Sequence, residues 1–114
     1  MKGKLAGATV ELDILTDPDV LITYEDSIDE ILEKVSKASL EEKASDGIRM
    51  QCEAIMNAVQ NVFGEEVKNK IFGKRTNLIK CLDVFEKYMN LYPEQVVPMI
   101  EKKSEKYSRQ RIEH

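Results

Sequence analysis

The chain has no tryptophan, a single histidine and few other aromatic side chains among its 114 residues. That histidine, His114, is the last residue of the sequence, so serine and cysteine mechanisms lack a positioned imidazole as general base. The glycines show neither the spacing of a phosphate-binding loop nor that of a dinucleotide-binding motif. These deficits predict a protein that is not an enzyme and that holds no cofactor.

Cysteine and long apolar runs are also scarce. Two cysteines and one histidine are too few for a four-ligand zinc site. Cys52 and Cys81 fall near the apolar faces of predicted helices, which favours free buried thiols in a reducing compartment over a disulfide. No stretch approaches the ~18 consecutive apolar residues of a membrane span, and Glu11 and Asp13 interrupt the N-terminal segment where a signal peptide needs an apolar core. The sequence therefore predicts a cytoplasmic protein with no membrane contact.

The chain is rich in charge, which is unevenly divided. Charged residues make up 33% and hydrophobic residues 42% of the sequence, which suits one packed core. Residues 1–66 carry 6 basic and 15 acidic side chains, a net charge of −9, whereas residues 67–114 carry 11 basic and 6 acidic ones, a net charge of +5. The halves either pack together and neutralise each other, or the chain associates head to tail with itself or offers its basic end to an acidic partner.

Apolar periodicity predicts a mainly α-helical single domain over residues 1–114. Val10, Leu12 and Ile14 alternate with acidic residues, as in a half-buried strand. With a turn near position 18 and apolar residues at 20–24, they predict a strand or hairpin within residues 8–24. Four or five helices in one bundle-like core are predicted over residues 27–111, with a fraying distal C-terminus.

Capping and stop signals place the ends of the predicted helices. Serine, aspartate and asparagine cap helix starts, glycine ends helices, and proline interrupts them. The caps and stops are predicted at Ser27, Asp46, Gly64, Gly73, Asn77 and Pro93. The last helix is then predicted over residues 94–111. The predicted core consists of Ile48, Cys52, Ile55, Val59, Phe63, Leu78, Leu82 and Phe85.

The charged runs predict neither a metal site nor a nucleic-acid interface. The acidic residues between positions 13 and 30 lack the alternating ligands, central glycine and terminal glutamate of a calcium-binding EF-hand loop. The basic residues between 68 and 80 lack interleaved aromatic side chains, and the net charge of −4 opposes a strong phosphate-binding field. Basic residues after position 101 alternate with Glu101 and Glu105, which predicts ion pairs along the last helix.

Four short motifs lie in order within residues 46–88: IRMQCEA at 48–54, VFGE at 62–65, KIFG at 70–73 and NLIKCLDVFE at 77–86. They resemble the pattern of a family of small proteins encoded by tailed bacteriophages and prophages of Gram-positive bacteria. The resemblance implies a setting in the tail-morphogenesis region. Small helical proteins there often act as tail assembly chaperones, which hold the long tape measure protein soluble until the tail tube polymerises.

Two segments are predicted as protein-binding surfaces. The first is a strand edge at Val10, Leu12 and Ile14, whose unpaired amides and carbonyls suit a β partner. The second is the apolar start of the last helix, formed by Val96, Val97, Met99 and Ile100. Four apolar residues among five positions exceed what one helical stripe buries, so either some of them meet a partner or the patch caps the core.

These observations, with the resemblance, predict a non-enzymatic phage or prophage assembly protein of tail-chaperone type. Its predicted partner is a phage tail protein such as the tape measure protein. The alternatives are a minor structural or head–tail joining protein and, with less support, a small nucleic-acid-binding regulator. Assembly into a homo-oligomer stays open.

Overall fold

The computed structural model describes residues 1–112 of the chain and the side chains of residues 1–107. An antiparallel hairpin of β1 (Lys2–Leu5) and β2 (Ala8–Glu11) comes first. The helical elements are a 3₁₀ turn (Leu12–Thr16), α1 (Pro18–Lys37), a second 3₁₀ turn (Ala38–Leu40), α2 (Ala44–Phe63), α3 (Glu65–Phe72), α4 (Leu78–Leu91), a π-helical turn (Tyr92–Val96) and α5 (Val97–Ile112). The predicted mainly helical fold with a short N-terminal hairpin is confirmed.

The hairpin lies closer to the N-terminus than predicted. Its turn places Ala6 and Gly7 at φ values of 50° and 87°, the left-handed pair that a tight two-residue hairpin requires. Val10 lies in β2, but Leu12 and Ile14 belong to the 3₁₀ turn, so the strand predicted through Val10, Leu12 and Ile14 is wrong after Glu11. The 3₁₀ turn buries Leu12 and Leu15, which lie three positions apart, instead of the alternating Leu12 and Ile14.

The predicted second strand over residues 20–24 and the predicted helix start at Ser27 are both wrong. Pro18 begins α1, and the Asp17 carboxylate caps it by accepting a 2.9 Å hydrogen bond from the Asp19 N–H. An aspartate before a proline suits a turn, but it equally suits an N-cap followed by the first helical residue. Ser27 lies inside α1, where its hydroxyl donates to the Tyr24 carbonyl at 2.6 Å.

The predicted stops and caps of the central helices mostly hold. Gly64 and Gly73 end α2 and α3 with φ values of 98° and 64°. The Asn77 side chain caps α4 by accepting a 2.9 Å hydrogen bond from the Lys80 N–H. Asp46 does not cap α2, which begins at Ala44. The carboxylate of Asp46 lies instead in the first turn, where the helix dipole favours it.

Pro93 does not break the last helical segment. The π-helical turn carries α4 into α5, so the backbone is helical without interruption from residue 78 to residue 112. Because proline has no N–H, the Met89 carbonyl, four residues before it, loses its α-helical donor. The Tyr24 hydroxyl lies within hydrogen-bond distance of the Met89 carbonyl oxygen, at 3.1 Å, and donates to the Tyr88 carbonyl oxygen at 2.6 Å.

One apolar core joins the hairpin to α1, α2, α3 and α4. Of the predicted core residues, Cys52, Ile55, Val59 and Phe85 are buried, and Phe63, Leu78 and Leu82 are partly buried against them. Ile48 is 43% exposed, so its prediction as a core residue is wrong. The reason lies in its neighbour Gly47, where an added Cβ would come within 2.6 Å of the Ala38 carbonyl oxygen. The Gly47 side of α2 therefore faces the Ala38 backbone, and Ile48 lies about 100° further round the helix.

Candidate functional site

The last part of α5 projects from the body of the protein, and we call residues 101–112 the arm. Residues 101–107 are all exposed. The described chain measures 66 × 26 × 21 Å, and the uninterrupted helix from residue 78 to residue 112 would span about 50 Å at 1.5 Å per residue. The π-helical turn thus holds the arm outward as a rigid extension of α4. The polar stretch after Ile100, predicted as a solvated or fraying helix, is helical as far as residue 112, and residues 113–114 lie outside the described part.

Two adjoining clefts lie where the arm leaves the body, between α5 and the N-terminal segment. One has a volume of about 350 Å³ and is lined by Asp13, Thr16, Met99, Ile100, Lys103 and Ser104. The other, of about 550 Å³, shares Asp13, Met99 and Lys103 with it and adds Met1, Lys102, Lys106 and Tyr107. We call them together the arm cleft. It combines methionine, isoleucine and tyrosine side chains with three lysines.

The charges of α5 are separated between two faces of the helix. At about 100° per residue, Lys102, Lys103 and Lys106 fall on the side that carries Met99, whereas Glu101 and Glu105 fall on the other side. The ion pairs found among the described residues join the N-terminal amine to Glu11 and Asp13, and Lys37 to Glu33. The three lysines therefore have no ion-pair partner within the described chain. The predicted pairing along the last helix does not neutralise this face.

The N-terminal amine occupies the acidic side of the arm cleft. It donates to Glu11 Oε1 at 2.7 Å and to Asp13 Oδ1 at 2.9 Å. Hydrogen bonds to Glu11 and Asp13 raise the pKa of this amine above its ordinary value. Because the amine stays protonated and offsets the charge of Asp13, the cleft presents a net positive surface to an incoming partner.

The strand edge predicted as a docking surface is not available as such. Val10 and Leu12 are at most 3% exposed and belong to the core. The Leu12 N–H donates to the Met1 carbonyl oxygen at 2.9 Å, so this amide is not free for a β partner. Ile14 is partly buried within the 3₁₀ turn. A β-augmentation site over Val10–Ile14 is therefore not supported by the fold.

The second predicted surface divides between the core and the arm cleft. Val96 is fully buried and Val97 is partly buried, because the π-helical turn aims this stretch towards the 3₁₀ turn of the N-terminal segment. Met99 and Ile100, one turn further on, line the arm cleft. The sequence thus located this surface through its apolar residues but missed the lysines. Their recurrence on one helical face, at positions 102, 103 and 106, was the available signal.

The two cysteines are buried free thiols, as predicted. Burial raises the pKa of the Cys52 thiol from 9.0 to about 11, and a contact with the Cys81 thiol adds to the increase. The Cys81 sulfur lies 3.5 Å from the Thr76 hydroxyl. A thiol with this pKa is protonated at neutral pH, and the protonated form is a poor nucleophile. The pair therefore acts as apolar packing between α2 and α4.

Thiol labelling tests this assignment. At pH 7.5 we expect the native protein to react with a thiol-specific reagent far more slowly than the urea-unfolded protein, in which both cysteines are exposed. The raised pKa of Cys52 stabilises the folded state fully below the unfolded value of 9.0, and this stabilisation is lost as the pH rises towards about 11. Rapid labelling of Cys52 in the native state would contradict the burial.

The described residues contain neither a metal-binding cluster nor a membrane-spanning helix. No group of histidine, cysteine or acidic side chains within residues 1–112 is arranged to hold a metal ion. Likewise, no helix in this range combines the length and the apolar character that crossing a membrane demands.

The fold and the arm cleft define a small helical protein with an N-terminal hairpin and a projecting C-terminal arm. A family model matches residues 6–114, and the chain belongs to this family, DUF6673, which is described as a family of unknown function. No curated protein and no solved structure matches the chain.

Proposed function

We propose that this protein is a non-enzymatic assembly protein of a phage or prophage that binds a helical tail component in the arm cleft. The observation that carries the proposal is the arm itself. It exposes three lysines without ion-pair partners beside Met99, Ile100 and Tyr107. A surface that mixes apolar and charged side chains in a groove suits an amphipathic helix of another protein.

The four motifs that resemble the phage tail family supply the setting but not the binding residues. Cys52 and Cys81 are core thiols, and Gly64 and Gly73 end helices. A protein with these motifs shares the helical body, and the resemblance points to a tail assembly chaperone. Its partner is then a tail component such as the tape measure protein. In the arm cleft, apolar contacts would supply affinity and the lysines would orient an acidic partner helix.

Co-expression with the tape measure protein of the same phage tests the proposal. We expect the wild-type chain to increase the soluble fraction of the tape measure protein and to be recovered with it. The double substitution Ile100→Glu and Lys103→Glu should abolish both effects. The first change adds a negative charge at the apolar part of the cleft, and the second reverses the charge of a lysine that lines it. The matched control is Ile79→Glu with Lys80→Glu, which makes the same charge change at an exposed isoleucine and lysine on α4 outside the residues lining the cleft.

Circular dichroism must show that all variants keep the helical fold. If the wild-type chain leaves the solubility of the tape measure protein unchanged and recovers no tail component, the chaperone function is refuted. If the control fails as badly as the cleft variant, the arm cleft is not the binding site. A submicromolar, sequence-dependent gel shift with DNA would favour the nucleic-acid-binding regulator instead.

A further inference from the structure

The outer face of α1 complements the arm in charge. At about 100° per residue, Ile22, Asp26, Asp29 and Glu30 lie on the side of α1 opposite the buried Tyr24, and all four are exposed. Glu33, one turn further on, pairs with Lys37 at 2.5 Å. Asp26, Asp29 and Glu30 have no ion-pair partner within the described chain. Three unpaired carboxylates on one helix therefore match three unpaired lysines on another.

The apolar residues on the two faces match as well. Ile22 is 53% exposed and lies one turn before Asp26 on the acidic face of α1. On the arm side, Met99, Ile100 and Tyr107 lie beside the lysines. Both faces thus offer apolar residues next to charges, with opposite charge signs, so two helices could pack side by side and exclude water around the apolar contacts.

The two faces cannot meet within one chain. The inner side of α1 packs on α2 and meets α4 through Tyr24, whose ring centroid lies 4.9 Å from that of Tyr88. The acidic side consequently faces away from α4. Because α5 continues α4 without a break, the arm has no hinge through which it could fold round to the far side of α1. Only the α1 helix of a second molecule can reach the arm in this orientation.

We propose that the arm cleft of one copy binds the outer face of α1 of a second copy. The inference rests on the proposed use of the arm cleft as a docking surface. Each copy offers one arm and one α1 helix, so the contact is head to tail and repeats into a ring or a chain. A tail component that occupies the arm cleft then competes with α1, and partner binding dissociates the assembly.

Sedimentation velocity at increasing protein concentration tests the contact. Exposed charges act over about 10 Å at 0.1 M ionic strength but only about 3 Å at 1 M. We therefore expect the mean mass to rise with concentration at low salt and to stay near that of a monomer at high salt. A wild-type protein that remains monomeric at every concentration in low salt overturns the proposal.

Two charge-reversed variants make the test specific. We expect Asp26→Lys with Asp29→Lys to abolish association, and Lys102→Glu with Lys106→Glu to do the same, because each brings like charges together. An equimolar mixture of the two variants should associate again, since each variant then complements the other. The matched control is Glu41→Lys with Glu42→Lys, which makes the same charge change in the exposed segment before α2.

Two results would refute the contact between the arm and α1. A mixture that stays monomeric refutes the pairing of the arm with α1, and loss of association in the control shows an effect of net charge alone, which also refutes it. Circular dichroism confirms that each variant folds. The α1 variant keeps its arm cleft intact and should still raise the solubility of the tape measure protein. That measurement separates failure of self-association from failure of the chaperone function.

Discussion

Replacing Phe85 with alanine is expected to lower the free energy of unfolding by about 3–5 kcal/mol, the usual cost of truncating a buried phenylalanine. The ring is 5% exposed and lies in the middle of α4, within the core that includes residues of α1 and α2. The loss has two parts. Folding removes less apolar surface from water, and a cavity remains where the ring was. Since the whole stability of such a domain is about 5–15 kcal/mol, the variant should be marginally folded.

Ile79→Ala is the matched control on the same helix. Ile79 is 76% exposed, and substitutions at such surface positions usually change stability by less than about 0.5 kcal/mol. Urea denaturation followed by circular dichroism measures both variants. If both variants lost the same free energy of unfolding, the assignment of Phe85 to the core side of α4 and of Ile79 to its solvent side would be wrong.

Tyr24→Phe is expected to cost about 1–3 kcal/mol, although it removes only one oxygen atom. The hydroxyl donates to the Tyr88 carbonyl oxygen at 2.6 Å and approaches that of Met89 at 3.1 Å. The Met89 carbonyl would take its α-helical N–H from residue 93, which is a proline and has none. Without the hydroxyl, a buried carbonyl is left unsatisfied, and we also expect the π-helical turn and the direction of the arm to become less well defined.

The substitution Pro93→Ala separates this effect from a loss of packing. Alanine restores a backbone N–H at the π-helical turn, so Tyr24→Phe should cost less in the Pro93→Ala background than in the wild type. Tyr107→Phe, at an exposed position on α5, is the control for removing a tyrosine hydroxyl. A cost of Tyr24→Phe that is the same in both backgrounds would disprove the compensation between the hydroxyl and the proline.

The candidate site could be predicted only in part. Met99 and Ile100 were found because they belong to an unusually dense apolar stretch, and the basic character of the C-terminal residues is evident from composition. The cleft itself also requires Met1 and Asp13, which lie far from them in sequence. Val10, Leu12 and Val96 are buried by the same long-range packing. The prediction that these three residues are exposed for binding a partner was therefore wrong.

The sequence by itself determined features that depend on a few neighbouring residues. Gly64 and Gly73 end helices because their own backbone tolerates positive φ, and Asn77 caps α4 through an amide three residues away. Tertiary structure alone decided whether Pro93 interrupts the last helix. We expect the answer to depend on the Tyr24 hydroxyl, which donates to a carbonyl 64 residues further along the chain. The direction of the arm follows from the π-helical turn, which joins α4 to α5 without a break, and no local pattern in the sequence carries that information.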